Sequence, residues 1–213
     1  MLVNIGKENS VAKHFLNELR NKETQNNRQL FRHNVYRLGQ IMAYELSKRL
    51  TYIDTQIQTP LANHPSHHLK ESPVLITILR AGLPYFEGLL DFFPQSDAGF
   101  IGAYRVESKE IEIKLDYLAT NNLDDKTVCL IDPMLATGKS IIRSIELLKK
   151  NGTPKHWHIV SLLAAPEGIT YIENHLKKDY TLWTFAVEQK LNQHAYIIPG
   201  LGDAGDLSFG EKI

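Results

Sequence analysis

IDPMLATGKS, residues Ile131 to Ser140, joins a strand to the start of a helix through a loop of small residues, and its reading decides the rest of the chain. Before it, Thr127 to Ile131 (TVCLI) is a short β-branched and apolar run, the composition of a strand buried on both faces. After it, Ile141, Ile142, Ile145 and Leu148 recur at helical spacing, while Arg143, Glu146, Lys149 and Lys150 fall toward water. Asp132 therefore stands at the carboxyl end of a strand, where open α/β sheets hold their ligands. Thr137, Gly138, Lys139 and Ser140 offer backbone N–H groups at a helix start, where unpaired donors and the helix dipole favour an anion.

Two motifs compete for this turn. The ending GKS invites a P-loop, which needs a glycine five residues before Gly138 to wrap a β-phosphate. That position is Pro133, which has no N–H to donate and a fixed φ, so the wrapping loop is disfavoured. A plain strand-turn-helix whose glycine only relieves a tight turn stays open on local grounds.

Outward from the turn, strand and helix patterns alternate. Val74 to Leu79, Gly99 to Tyr104, Thr127 to Ile131, Trp157 to Ala164 and Thr181 to Val187 read as strands. Leu83 to Phe92, Ser140 to Lys150 and Gly168 to Leu176 read as helices. This alternation predicts a parallel sheet with helices on both sides. Glu110 to Asp116 (EIEIKLD) alternates strictly and predicts a hairpin exposed on one face. Toward the amino terminus, Ser10 or Asn9 caps an expected helix with Val11, Phe15 and Leu19 on its apolar side. A second helix is expected from Thr24 to Leu50, turning Leu30, Phe31, Leu38, Ile41, Met42 and Leu46 inward. Tyr52 to Glu71 is polar, contains Pro60 and Pro65, and reads as a hairpin or long loop. Its His64, His67 and His68 lack the neighbouring carboxylate of a metal site and are read as solvated, and His156 and His158 as packing or surface residues.

Composition narrows the classes. A chain of 213 residues with 43% hydrophobic content fits one large domain better than two small ones. Twenty-four basic and 24 acidic residues balance, which argues against a nucleic-acid-coating protein. Cys129 is the only cysteine and reads as a small buried hydrophobe. No run approaches the roughly 18 apolar residues of a membrane span, so a cytoplasmic protein with no membrane partner is expected.

Two further segments give the turn a specific meaning. VLITILRAGLPY (Val74 to Tyr85) and YIIPGLGDAGDLSFG (Tyr196 to Gly210), taken with DPMLATG, closely resemble the uracil phosphoribosyltransferases. The resemblance runs from about Val74 to Gly210 and includes Ala103-Tyr104-Arg105 and Ala164-Ala165-Pro166-Glu167-Gly168. It implies an α/β fold of the type I phosphoribosyltransferase kind, a mostly parallel sheet flanked by helices, as one domain over residues 1–213. Within it, 1–72 would be an amino-terminal helical part and loop, 105–124 a β-arm or hood, and 196–210 the base-recognition segment. The implied reaction moves the 5-phosphoribosyl group from phosphoribosyl pyrophosphate (PRPP) to uracil, giving UMP and pyrophosphate. A non-catalytic uracil, UMP or PRPP sensor is the alternative.

The same resemblance distributes the roles. Asp132 accepts from ribose hydroxyls, and the loop Asp132, Pro133, Met134, Leu135, Ala136, Thr137, Gly138, Lys139 and Ser140 holds the ribose 5-phosphate. Arg80 and Arg105 match PRPP-binding arginines. Ile197, Gly202 and Ala204 read uracil through main-chain groups with Asp203 beside them in the uracil site, and Asp203 also meets PRPP through its Mg²⁺, the expected cofactor. Arg80, Arg105 and Asp203 are thus the expected catalytic set. GTP is a candidate effector, and a homodimer or larger assembly is expected. Lys139 departs from the family, which commonly has a small residue after TG; its side chain either points to solvent or adds charge beside the donor phosphates.

Overall fold

The computed structural model describes the backbone of residues 1–106 and 112–211, and the side chains of residues 1–102 and 117–211. Strand β1 (Leu2–Asn4) precedes helices α1 (Ala12–Arg20) and α2 (Arg28–Ser47), and β2 (Tyr52–Gln58) and β3 (Asn63–Leu69) form a hairpin. Next come β4 (Val74–Leu79), α3 (Leu83–Phe92), β5 (Ala98–Val106), β6 (Glu112–Ala119), β7 (Thr127–Ile131), β8 (Met134–Leu135) and α4 (Lys139–Leu148). The chain continues through β9 (His156–Val160), β10 (Leu163–Ala164), α5 (Pro166–His175), β11 (Tyr180–Thr184) and β12 (Ala186–Val187). It closes with β13 (Lys190–Leu191), β14 (Ile197–Ile198) and α6 (Ala204–Phe209).

The main sheet has seven strands in the order β1-β11-β9-β7-β4-β5-β6, and every pairing is parallel except β5 with β6. Its central strands are predominantly apolar because both faces are covered. Leu75, Cys129, Ile131 and Trp183 face the core built with α1, α2 and α3. Val74, Ile76, Val128, Leu130 and Leu182 face the one built with α4 and α5. Burial pushes the Cys129 thiol well above its usual pKa, so it is an inert packing residue.

Order and direction fix where a ligand can sit. From β4 the chain moves through α3 to β5 on one side, whereas from β7 it moves through α4 to β9 on the other. The crevice between β4 and β7 is therefore a topological switch point, open at the carboxyl ends of the strands. Thr77 pairs with Ile131, so the segments that follow, Arg80-Ala81-Gly82 and Asp132-Pro133, emerge side by side on one rim.

Several expectations need correction. The strands read as Trp157 to Ala164 and Thr181 to Val187 are each broken: β7, β9 and β11 end and resume after a bend as β8, β10 and β12, a second parallel layer in the order β12-β10-β8. The Pro133 carbonyl accepts the amides of Leu162 and Leu163 at the bend, at 2.9 and 3.1 Å. Helix α1 buries Ala12, Leu16 and Leu19 rather than Val11, which is 58% exposed and stands at the N-cap position without a side-chain cap. Phe15 is half-buried and lies under the Arg37 guanidinium. Helix α2 starts later than expected, at Arg28, because the Asn27 side chain caps the Leu30 amide. Leu30 and Ile41 on it are only half-buried. In the β2–β3 hairpin a carboxylate does neighbour the histidines: Asp54 lies 2.9 Å from His67 across the strands. The expected hood includes the β5–β6 hairpin, whose residues 107–111 lie outside the described ones. Among the described residues, no helix is long and apolar enough to cross a membrane.

His158 is the buried titratable group with a measurable consequence. Trp183 Nε1 donates to its Nδ1 at 3.0 Å, so the neutral ring keeps its proton on Nε2. Burial, with smaller repulsion from His156 and Arg49, pushes its pKa from 6.5 down to about 3. Between those values the unfolded chain binds a proton that the folded one refuses, so stability rises with pH there, by up to about 1.4 kcal/mol per pH unit. The melting temperature should fall as pH drops below 6.5. His158→Gln, which retains an acceptor for Trp183, should flatten that fall; parallel melting curves for parent and variant would remove His158 as the cause.

Candidate active site

The rim between β4 and β7 carries a cleft of about 180 Å³. One wall is the turn after β7. Asp132 and the residues Met134, Leu135, Ala136, Thr137, Gly138 and Ser140 line it. The Asp132 carboxylate accepts the Met134 amide at 3.3 Å, which folds the loop back over the strand end. Gly138 has φ +77°, the left-handed region, so that the chain reverses into α4 with its first amides turned outward. The first helical bond is Ile142 N–H to the Gly138 carbonyl. The amides of Gly138, Ser140 and Ile141 thus have no acceptor among the described residues, and the Lys139 amide has only a long contact, 3.4 Å, to Thr137 Oγ1. Such a nest of donors suits a phosphate.

Pro133 and Lys139 do not line the cleft. Pro133 is buried at the strand bend, and Lys139 is exposed.

The opposite wall comes from the carboxyl-terminal segment. Ile197 on β14, Gly202, Asp203 and Ala204 line it together with Ala195, Tyr196 and Gly205. Asp132 and Asp203 therefore open onto the same cleft. Gly200, Gly202 and Gly205 favour irregular backbone, yet Ala204–Phe209 is a helix. Asp203 caps it, its Oδ1 accepting the amides of Gly205 at 2.8 Å and Asp206 at 3.0 Å. The other Asp203 oxygen has no partner among the described residues.

Arg80 lies at the floor, and its peptide bond with Leu79 is cis. Its Nη2 donates to Asp206 Oδ1 at 3.0 Å and to the Gly210 carbonyl at 2.6 Å, while Nε is buried without a partner. Arg105 lies on β5, three residues beyond Gly102, the partner of Leu79. Its side chain lies outside the described residues.

Two supports escaped the sequence reading. Gly168, at the start of α5, packs so closely under the phosphate-loop wall that a Cβ would lie 2.3 Å from the Ala136 carbonyl oxygen. Glu167 beside it accepts the Leu191 amide at 2.9 Å, a bond that also holds its carboxyl below the usual carboxylate range. It thereby ties the β13–β14 hairpin, and Ile197 with it, to the helix that abuts the loop. The run AAPEG was the available signal, although nothing local in it names those partners.

Comparison with known proteins adds to this geometry. The uracil phosphoribosyltransferase family profile matches residues 7–211. A uracil phosphoribosyltransferase of Porphyromonas gingivalis is 39% identical over 100% of this chain and 99% of its own length. One from Pyrococcus furiosus is 38% identical over 93% of this chain and 85% of its own. The solved structure of the AQ2163 protein from Aquifex aeolicus superposes with a TM-score of 0.88 at 32% identity, over 99% of this chain and 98% of that one.

Proposed function

Because the chain belongs to the uracil phosphoribosyltransferase family, and so is a pentosyltransferase forming UMP and pyrophosphate from uracil and PRPP, we propose a division of labour within its cleft. The phosphate-loop wall holds the ribose 5-phosphate: amides from Thr137 to Ser140 donate to phosphate oxygens, whereas the Ala136 amide, expected among them, is taken by the Met134 carbonyl at 3.0 Å, and Asp132 accepts from ribose hydroxyls. Arg80 and Arg105 meet the pyrophosphate. Main-chain groups at Ile197, Gly202 and Ala204 read the base. Uracil offers two carbonyl acceptors and one N3–H donor, so the cytosine amino group, a donor in place of O4, leaves buried partners mismatched at about 1–3 kcal/mol or more. The observation that carries this reading is the single cleft shared by Asp132 and Asp203, with unfilled amide donors on one side and the DAGD turn on the other.

In the reaction, uracil N1 forms the bond to the anomeric carbon as the bond to pyrophosphate oxygen breaks, and the N1 proton is lost to water. No side-chain nucleophile is needed. Holding N1 against the anomeric carbon and stabilising the departing pyrophosphate with the arginines supply the acceleration. Mg²⁺ fits the site, since hard carboxylate oxygens suit it and Asp203 has one oxygen uncommitted; when bound, it neutralises pyrophosphate charge.

Incubation with PRPP, Mg²⁺ and labelled uracil tests the reading: UMP and pyrophosphate are expected, with cytosine, orotate and hypoxanthine poor substrates. Binding of PRPP and uracil without product would instead mark a sensor. Lys139→Ala, which keeps the backbone amide and removes only the exposed ammonium, should change the KM for PRPP and kcat by no more than about two-fold. A ten-fold or larger rise in that KM, roughly 1.4 kcal/mol, would place the ammonium at the donor phosphates.

A homodimer or larger assembly and a GTP effector belong to the same proposal through the family resemblance. For assembly, the support is the β2–β3 hairpin, which among the described residues pairs only with itself and exposes Tyr52, Ile53, Ile57 and Leu61.

A further inference from the structure

The second aspartate of the DAGD turn has no part in the roles above, yet it makes the closest described ionic contact to the cleft arginine. Arg80 Nη2 is shared between Asp206 Oδ1, at 3.0 Å, and the Gly210 carbonyl, at 2.6 Å. Both of its hydrogens are thereby committed. Nη1 has no partner among the described residues, and Nε is buried with none. An arginine anchored by one terminal nitrogen keeps the other for an anion.

Helix α6 is itself held firmly enough to serve as the anchor. Arg32 of α2 donates to the Ser208 carbonyl at 2.7 Å, and the Asp206 amide is capped by Asp203 at 3.0 Å. Gly205 leaves the helix close against the Arg80 turn, where a Cβ would stand 3.7 Å from Ala81 Cβ.

We propose that Asp206 is a positioning residue for PRPP: it fixes Arg80 by one terminal nitrogen so that the other, Nη1, is presented, already oriented, to the pyrophosphate. The proposal rests on the assignment of Arg80 to the donor. It makes the DAGD turn bifunctional, with Asp203 beside the reacting groups and Asp206 acting only through the arginine. Without Asp206 the guanidinium is free to reorient, and donor binding must pay for ordering it.

Equilibrium PRPP binding without uracil, steady-state kinetics and thermal melts should be measured for Asp206→Asn, Asp206→Ala, Asp206→Glu, Arg80→Ala and Arg80→Ala with Asp206→Ala. Asp206→Ala is expected to weaken PRPP binding about ten-fold or more, with a smaller loss for the isosteric Asp206→Asn. The KM for uracil should stay within about two-fold. Asp206→Glu should recover part of the loss, and the double variant should bind no worse than Arg80→Ala, because one residue acts through the other. Full PRPP affinity in a folded Asp206→Asn and Asp206→Ala, beside a loss in Arg80→Ala, would overturn the inference and leave the donor site intact. Equal loss of PRPP and uracil affinity would also overturn it, since α6 would then be failing as a whole. If Arg80→Ala retains PRPP affinity, the donor-site reading itself falls.

Discussion

Gly168→Ala should lower kcat/KM for PRPP by on the order of 100-fold while leaving a folded protein. The new Cβ would stand 2.3 Å from the Ala136 carbonyl oxygen and 3.1 Å from that of Leu135. Both obstacles are backbone, so no side chain can rotate away. Either the first turn of α5 retreats or the loop from Leu135 to Thr137 is pushed toward the space meant for the 5-phosphate. A displacement of about 1 Å is enough to lose two orders of magnitude when reacting groups must be held in register. The accompanying strain costs about 1–3 kcal/mol of stability, which a melt would register without unfolding the chain at room temperature. A folded variant whose turnover stays within a few-fold of the parent would show that the cradle tolerates the shift.

Arg20→Ala should produce the largest loss of stability. Arg20 on α1 is ion-paired with Glu188, whose side chain is 5% exposed, whereas that of Arg20 is 24% exposed. Removing the arginine leaves a buried carboxylate without its cation, a loss of about 3–5 kcal/mol. That is a large part of the roughly 5–15 kcal/mol by which a domain is folded. The reverse change, Glu188→Gln, should cost less, about 1 kcal/mol, because Arg20 can turn toward water. Urea denaturation of both variants tests the asymmetry; equal midpoints would mean that solvent reaches Glu188. The pair also matters to the cleft at one remove. Glu188 follows β12, which pairs with β10, which pairs in turn with β8 in the phosphate loop.

The parts of this fold that were legible in sequence are those set by local pattern. The bounds of β4, α3 and β7 follow directly from apolar runs closed by Arg80, Gly82, Pro84 and Asp132. The placement of Asp132 and the glycine turn on a strand's carboxyl end followed from the same runs. What failed depended on distant partners or on conflicting local signals. Leu2–Asn4 is too short to announce itself as a strand and exists because Leu182 to Thr184 lie beside it. The bends after β9 and β11 are invisible in continuous hydrophobic runs, since Leu162 turns to donate to Pro133 while remaining buried. Helix α6 was hidden because Gly205 within it and Gly200 and Gly202 before it argue for irregular backbone; the cap at Asp203 outweighs them. A cis bond between Leu79 and Arg80 has no sequence signature at all. Likewise, nothing in LRAG predicts that its arginine meets Asp206.

The parallel pairing of β1 with β11 bears on how the protein is made. A ribosome delivers Leu2–Asn4 early, and the strand they must join, Tyr180–Thr184, emerges only after nearly all the intervening chain. Until then the margin of the growing sheet presents bare amides and carbonyls, a template for wrong partners. Contacts of such long sequence separation form slowly, so translation that stalls shortly after β11 should prolong demand for chaperones that shield nascent chains.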